Sequence, residues 1–425
     1  MNFLNLSLVQ RVISHELIGG ASIIFAGGLF ANLFNFLFQL FMSRNLSLAD
    51  WGAFSSLNSL LTLSTLPIGA LLPTIVYFSA FYFAKGELDK VSGLFFKITK
   101  PATAIGLFIL ILYILFQKPI AAFLNISQST LVIPVALSVF IVFASVATMP
   151  LLQAKLSFKF ITLLTFLSAL FKLLVGVGLV MAGFSVAGAM WGYFIAALIP
   201  FVGSFFDLKF LLRKKITTSK ISLNSLFSYG IPTMLATLGL TSLINTDIII
   251  VKHFLDPDTA GIYATLSLVG RIIFFFSAPI ATVMFPLIAQ KHARAENFHS
   301  TFRLSMLLVL LCSVAITIFY FLFPEFSMHV FSQKEESLVG VPYVGLFGIF
   351  IALYALLTVL VNFYLSIKKT KVFIPMLVGA LAQAVLLWFY HDTFEMIIGI
   401  SLGITSLLLA SLLLYYWKLY GSQKT

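Results

Sequence analysis

The sequence predicts an all-α polytopic membrane protein with about 12 transmembrane helices in two six-helix lobes. Three observations indicate this fold class: an apolar composition, a series of bilayer-length hydrophobic stretches, and an internal repeat. Hydrophobic residues make up 60% of the 425 residues, and charged residues only 9%. This composition excludes a soluble globular protein, because the surface of such a protein must carry mixed charge.

The hydrophobic stretches follow one another along the chain, with polar loops of at most about twenty residues between them. The first sixteen residues lack the apolar run and small-residue end of a cleavable signal, so we expect the first stretch to remain as a span. The predicted spans lie at roughly 17–42, 53–83, 101–116, 130–152, 161–182, 186–206, 226–251, 262–289, 303–323, 341–365, 372–390 and 396–417.

Lysine and arginine residues outside these spans lie almost entirely on one side of the predicted topology. With the N-terminus inside, the cytoplasmic segments hold 20 of them and the outer loops only 4. Positive charge is retained on the cytoplasmic side, so both termini are expected in the cytoplasm. The same asymmetry accounts for the net charge of +12 without a nucleic-acid partner.

The two halves of the chain resemble one another. The segment RNLSLADWGAF at 44–54 corresponds to KHFLDPDTAGIY at 252–263, and the two prolines of span 2 have counterparts in span 8, all 208 to 213 residues apart. The polar segment 207–225 then links an N-terminal lobe, 1–206, to a C-terminal lobe, 226–425. Because each half has an even number of spans, the repeat is parallel, with a pseudo-twofold axis along the membrane normal and a cavity expected between the lobes.

Motifs of catalysis are absent from the sequence. It contains no HExxH, GxSxG or P-loop pattern, and the short loops leave no room for a soluble catalytic domain. A single cysteine, Cys312, excludes a disulfide framework and a cysteine metal site. We therefore expect no enzymatic activity, no cofactor and no bound metal.

The residues most able to carry function are three charges inside spans: Lys172 in span 5, Asp247 in span 7 and Arg271 in span 8. A charge at the centre of a membrane helix costs about 2.5 to 3.5 kcal/mol on insertion scales, so each is expected to face the protein interior or water. Lys172 is midway through its helix, with Thr165 and Ser168 on the same face, and is expected to line the cavity. Arg271 is expected either to extend towards the interface or to bind a phosphate.

Asp247 is nearer the outer end of its span, where it is either an interfacial carboxylate or a residue of the cavity. The repeat pairs it with Gln39, which favours the cavity, whereas Asn245 lies on the opposite face of the same helix and leaves the orientation of span 7 open. The polar residues expected beside the charges in the cavity are Asn32, Asn35, Gln39 and Asn58.

Several segments together resemble Wzx-type polysaccharide flippases of the multidrug/oligosaccharidyl-lipid/polysaccharide exporter superfamily. They are FANLFNFLFQLFMSRNLSLADWGAFSSL near the N-terminus, LLQAKLSFKF after span 4, SLFSYGIPTMLATLGLTSLINTDIIIVKHFLDPDTAGIYATLSLVGR across spans 7 and 8, and VMFPLIAQ closing span 8. The resemblance rests on the order of these segments along the two halves of the chain.

The resemblance implies a MATE-like fold in the inner (plasma) membrane and the flipping of an undecaprenyl-pyrophosphate-linked oligosaccharide unit from the inner to the outer leaflet by alternating access. It implies that Lys172 and Arg271 neutralise the diphosphate, that the Asn and Gln side chains bind sugar hydroxyls, and that Asp247 couples a proton or cation or balances a lumen cation. Membrane lipids, a polysaccharide polymerase and chain-length proteins are the implied partners.

Two other functions remain open at this stage. A MATE-like multidrug or metabolite cation antiporter would need a more acidic cavity, whereas the spans here hold one acidic residue against two basic ones. A non-transporting scaffold of a polysaccharide-synthesis complex would show no transport when reconstituted in liposomes.

Overall fold

A computed structural model describes residues 16–69, 71–212, 224–293 and 296–420. These residues form helices and short connections, and no strand occurs among them. The helices are α1 (Glu16–Asn45), α2 (Leu48–Gly69), α3 (Leu72–Ala84), α4 (Leu88–Leu115), α5 (Gln117–Phe123), α6 (Val132–Ala144), α7 (Thr148–Ala154), α8 (Phe158–Leu179), α9 (Ser185–Asp207), α10 (Asn224–Ser242), α11 (Thr246–Phe254), α12 (Pro257–Ala293), α13 (His299–Leu322), α14 (Pro324–Phe331), α15 (Val344–Ser366), α16 (Phe373–Phe389) and α17 (Phe394–Tyr420).

Each of the twelve predicted spans lies on one of these helices or on a broken pair of them. In the described part of the chain, eight helical stretches are long and apolar enough to cross a membrane, or nine if the bent pair α10 and α11 counts as one span. One stretch, Phe158–Asp207, contains both span 5 and span 6. Gly183, with φ of 90°, separates these two spans within a π-helical turn, a backbone conformation that glycine adopts without strain. The all-α polytopic membrane fold is confirmed.

The prolines of span 2 coincide with a break, and those of span 8 do not. Helix α2 ends at Gly69, and α3 begins at Leu72 with Pro73 in its first turn, where the missing N–H of proline costs no hydrogen bond. Helix α12 instead continues through Pro279 and Pro286 as one helix of 37 residues. The corresponding prolines therefore lie beside an interruption in one half of the chain and within a continuous helix in the other.

The chain divides into two compact units by its internal contacts. The first unit holds the described residues up to Met42, together with 67–121 and the described part of 128–223. The second holds 43–66, 122–127 and the described part of 224–425. Most of the predicted linker at 207–225 lies outside the described residues, and the six-helix lobes remain a prediction.

The internal repeat is visible in the backbone. Among the spans found in the described residues, the most enclosed in the first unit is Ser129–Ala154 and in the second Glu335–Ser366, which correspond to the predicted spans 4 and 10. Each is followed by a residue in the left-handed region, Leu156 with φ of 64° and Lys368 with φ of 59°. The next N–H in each case donates to the carbonyl five residues earlier, which is the helix-ending turn known as a Schellman motif.

Repeat-related turns meet directly within the second unit. The backbone of Gly52, at the start of α2, packs against Gly261, at the start of α12, and a Cβ on Gly52 would lie 2.9 Å from the Gly261 nitrogen. A Cβ on Gly261 would overlap the carbonyl oxygen of Leu48. Only glycine permits this close approach, which explains its presence at both corresponding positions of the repeat.

The C-terminal ends of spans 1 and 7 form matching contacts. After span 1, Ser43 Oγ donates to the Phe331 carbonyl at 2.8 Å, and Arg44 Nη2 donates to the Val330 carbonyl at 2.6 Å. After span 7, Asn125 Nδ2 donates to the carbonyl of His253. The end of each span is thus tied to the chain that follows the third span of the other half.

Lys334 also contacts the backbone that follows span 1. Its ammonium donates to the carbonyl of Leu46 and, at 3.4 Å, to that of Ser43. Burial lowers the pKa of Lys334 below its ordinary value, although the negative charges of Glu336, Asp50 and Asp258 act in the opposite direction. A cavity of 380 Å³, lined by Ser47, Leu48, Asp258, Lys334 and Glu336, adjoins it.

Candidate functional site

Lys172 is buried in the first unit, with 6% of its surface exposed. Its Nζ lies 4.8 Å from the ring centroid of Phe38 and 4.5 Å from that of Tyr193. Among the described residues, Lys172 forms no ion pair with a carboxylate and no hydrogen bond from its ammonium. The charge is therefore compensated by the faces of two aromatic rings.

The polar residues expected near Lys172 take different roles. Gln39 Nε2 donates to the Tyr193 hydroxyl at 3.0 Å, so Gln39 is joined to Lys172 through an aromatic ring. Thr165 and Ser168, on the face of Lys172, donate to backbone carbonyls of Ile161 and Ala196. The hydroxyl groups of the predicted polar stripe thus donate to helix backbone carbonyls.

The other predicted sugar-binding residues lie apart from this group. On α1, Asn32 is exposed and Asn35 is half-buried. Asn58 lies on α2 in the second unit, where it is half-buried and its carbonyl accepts a hydrogen bond from Thr62 Oγ1 at 2.8 Å. The structure therefore places the predicted set in both compact units, with Gln39 alone joined to an intramembrane charge.

Span 7 is interrupted in its C-terminal half. Helices α10 and α11 meet at 243–245 with a bend of 44°. The break frees carbonyl groups that a continuous helix would have paired. Gln383 Nε2 on α16 donates to the Leu243 carbonyl at 3.0 Å, and Arg271 Nη2 on α12 donates to the Ile244 carbonyl at 2.8 Å. Neighbouring spans thus satisfy the broken backbone, as burial in a membrane requires.

Arg271 is therefore anchored at the break of span 7. Besides the Ile244 carbonyl, Nη2 also contacts Asn245 Oδ1 at 3.3 Å, and Asn245 in turn donates to the Thr241 carbonyl at 2.8 Å. An arginine expected either to extend towards the interface or to bind phosphate instead has its guanidinium on a carbonyl and an amide oxygen.

Asp247 lies two residues beyond this break, in the first turn of α11, and is almost completely buried, with 1% of its surface exposed. Its Oδ2 accepts a hydrogen bond from the Tyr263 hydroxyl at 2.8 Å, and its Oδ1 accepts one from the Ile248 N–H at 2.9 Å. The charge of Arg271 also acts on this carboxyl, although the two side chains form no ion pair. Both Asn245 and Asp247 are buried in the protein interior. On a straight helix they would lie on opposite faces, but the bend of span 7 lets both side chains face inward.

Sequence reasoning missed four side chains that complete these sites. Phe38 and Tyr193 enclose Lys172, Tyr263 donates to Asp247, and Gln383 supports the break. Gln383 carried a signal, because a glutamine in the middle of an apolar span requires a partner there. The aromatic residues carried none in a chain that contains 47 phenylalanines.

Solved structures share this fold at low sequence identity. A multidrug resistance MATE family transporter of the MOP superfamily in its inward-facing conformation matches with a TM-score of 0.72 and 12% identity, covering 93% of this chain and 94% of that chain. The lipid II flippase MurJ in an inward closed conformation matches with a TM-score of 0.70 and 16% identity, covering 95% and 87%. The MATE-like fold is confirmed.

Sequence comparison identifies the family. No curated protein matches this chain. Residues 41–334, which are more than half of the chain, match the family described as polysaccharide biosynthesis protein. The resemblance drawn from the sequence motifs is thereby confirmed. This multi-pass membrane protein belongs to the polysaccharide biosynthesis protein family.

Proposed function

We propose that this protein is a flippase that moves an undecaprenyl-pyrophosphate-linked oligosaccharide unit from the inner to the outer leaflet by alternating access. The observation that carries the proposal is Lys172, an intramembrane ammonium with no carboxylate partner among the described residues. An ammonium has three N–H donors and no acceptor, and it binds phosphate as a point charge. An anionic headgroup is therefore the cargo that this site complements.

Family membership and fold support the same function. The family is described as polysaccharide biosynthesis protein, and MurJ, which has a similar fold, is a lipid II flippase. In our proposal Asn32, Asn35, Gln39 and Asn58 bind sugar hydroxyls during the transport cycle. Arg271 adds positive charge but is held by the break of span 7.

Asp247 is the proposed coupling residue. Its carboxyl lies beside a broken helix, where a small movement would change its access to water, and it is held by one tyrosine hydroxyl and one backbone N–H. Protonation or cation binding at this carboxyl would then alternate with exposure to either side. The charge asymmetry of the loops supports an inner-membrane orientation with both termini in the cytoplasm.

Reconstituted protein in liposomes tests the proposal. The substrate is a lipid-linked oligosaccharide with a diphosphate, and the measurement is its appearance in the opposite leaflet. Lys172→Ala should reduce the flipping rate about ten- to a hundredfold, the value of a lost hydrogen bond to a charged group. Lys172→Arg should retain part of the rate because the charge remains. Lys159, exposed on the same helix, provides a matched control, and Lys159→Ala should flip like the wild type.

The same liposomes separate the alternatives. A cation antiporter would accumulate an organic cation in exchange for protons or sodium and would not flip the lipid. A scaffold would transport neither compound. Full flipping activity in Lys172→Ala would remove Lys172 from the mechanism.

A further inference from the structure

The surroundings of Lys172 have the geometry of a cation-binding cage. The Phe38 and Tyr193 rings lie 5.6 Å apart, centroid to centroid, at 81° to one another, so they form two nearly perpendicular walls. The Lys172 ammonium lies 4.8 and 4.5 Å from the two ring centres, within the distance of about 6 Å at which cations are attracted to ring faces. Both walls act on the same nitrogen.

The cage is fixed by residues that the ammonium does not touch. Gly176, one turn after Lys172, leaves the space into which Phe38 fits, because a Cβ there would lie 2.5 Å from the Phe38 ring. Gly192, next to Tyr193, lets α9 approach α8 so closely that a Cβ would lie 3.0 Å from the Lys172 carbonyl. Gln39 holds the Tyr193 ring through its hydroxyl. The rings are therefore positioned independently of the lysine side chain.

We infer that Phe38 and Tyr193 form a binding site for an alkylammonium ion and that Lys172 is its tethered occupant. The inference rests on the contacts around Lys172 and does not depend on the transported substrate. One consequence for substrate binding does rest on the proposed function. Ring faces neutralise an ammonium without using its N–H groups, so an incoming diphosphate can accept them without displacing an existing hydrogen bond.

The test empties the cage and offers it a free ligand. Lys172→Ala removes three methylene groups and the ammonium, which together have the size of n-propylammonium. Purified Lys172→Ala protein in detergent should show a rise in melting temperature with increasing n-propylammonium chloride, because a ligand that binds only the folded state stabilises it. Propan-1-ol, which has the same chain without the charge, and sodium chloride at equal concentration should give no such rise. Wild-type protein should not respond, because its own lysine fills the site.

A second substitution tests the walls. Adding Phe38→Leu to the Lys172→Ala variant should weaken n-propylammonium binding about three- to thirtyfold, as expected for loss of one cation–ring contact. Equal stabilisation by propan-1-ol, no stabilisation by n-propylammonium, or unchanged binding after Phe38→Leu would each overturn the inference. Because the readout is binding, a failed flipping assay would not affect it, and a failed cage would leave the flippase proposal standing.

A thermodynamic cycle replaces the binding test if Lys172→Ala does not accumulate. Lys172→Met keeps an unbranched side chain, shorter by one heavy atom, and removes its charge. Phe38→Leu should lower the melting temperature more when residue 172 is lysine than when it is methionine, because a buried cation is attracted to the ring more strongly than a thioether is. Equal losses in the two backgrounds would overturn the cage.

Discussion

Replacing Asp247 by Asn tests whether the buried carboxyl couples transport to an ion gradient. The substitution conserves the size of the side chain but removes its ability to titrate or to carry a negative charge. The carboxyl accepts two hydrogen bonds, one from the Tyr263 hydroxyl at 2.8 Å and one from the Ile248 N–H at 2.9 Å. An asparagine oxygen can keep one of them, and the tyrosine hydroxyl can rotate to accept from the amide nitrogen.

The structural cost of Asp247→Asn is therefore small. At most one hydrogen bond is lost, which corresponds to about 1 kcal/mol of unfolding free energy. Asp247→Ala is different, because it leaves the Tyr263 hydroxyl and the Ile248 N–H buried without an acceptor, at about 1 to 3 kcal/mol for each group. Melting temperatures should accordingly fall in the order wild type, Asp247→Asn, Asp247→Ala. A transport defect in Asp247→Asn then cannot be attributed to unfolding.

The assay is flipping by reconstituted protein with and without an imposed proton or sodium gradient. Asp247→Asn should bind substrate, because Lys172 is unchanged, but should lose the stimulation by the gradient. Tyr263→Phe is the matched control, since it removes one hydrogen bond from Asp247 and keeps the carboxyl, and it should still respond. If Asp247→Asn responds to the gradient as the wild type does, the coupling role is wrong and Asp247 serves only to support the break of span 7.

Three further outcomes follow from the packing. Arg271→Met should lower the unfolding free energy by about 1.5 to 3 kcal/mol, measured by denaturant titration, because a charged hydrogen bond to the carbonyl at the break is lost; no change would mean that water or another donor replaces it. Gly261→Ala should prevent accumulation of folded protein in membranes, whereas Gly399→Ala, where a Cβ meets open space, should accumulate normally, and equal yields would contradict the close backbone contact. In a variant without the native cysteine, a cysteine at Asp258 should react with an impermeant maleimide outside whole cells and one at Lys369 should not; reversed labelling would refute the inside-ended topology.

The fold was predictable because membrane spans depend on local composition. About twenty consecutive apolar residues specify a helix in lipid without reference to the rest of the chain. The internal repeat then shows which spans of the two halves correspond. The break in span 7 was not predictable in this way. Residues 243–245 contain neither glycine nor proline, so the interruption is stabilised from outside, by Gln383 and Arg271 on other helices. Without knowledge of the break, the sequence shows Arg271 only as a charge within a span, which predicts a phosphate ligand or an interfacial side chain.

The site was predictable only as far as single residues allow. A charged residue within an apolar span is visible in the sequence, and this identifies Lys172, Asp247 and Arg271. Their partners are long-range: Phe38 lies on α1 and Lys172 on α8, and Tyr263 approaches Asp247 from the helix that follows a turn. An aromatic residue in an apolar span has no polar signal, so neither Phe38 nor Tyr193 could be distinguished from residues that face lipid.

The three intramembrane charges differ in the hydrogen bonds they have already made, and this difference ranks their roles. Asp247 accepts from two donors, and Arg271 donates to a carbonyl and an amide oxygen, so recruiting either one to a substrate would break contacts that hold span 7. Lys172 donates to no acceptor among the described residues, so its N–H groups are available at no such cost. The two substitutions should therefore differ in opposite ways. Lys172→Ala should reduce the flipping rate more than Arg271→Met does, whereas Arg271→Met should reduce the stability more than Lys172→Ala does. If Arg271→Met instead abolished flipping at unchanged stability, the diphosphate would have to be assigned to the arginine, and the bonds at the break would have to open during transport.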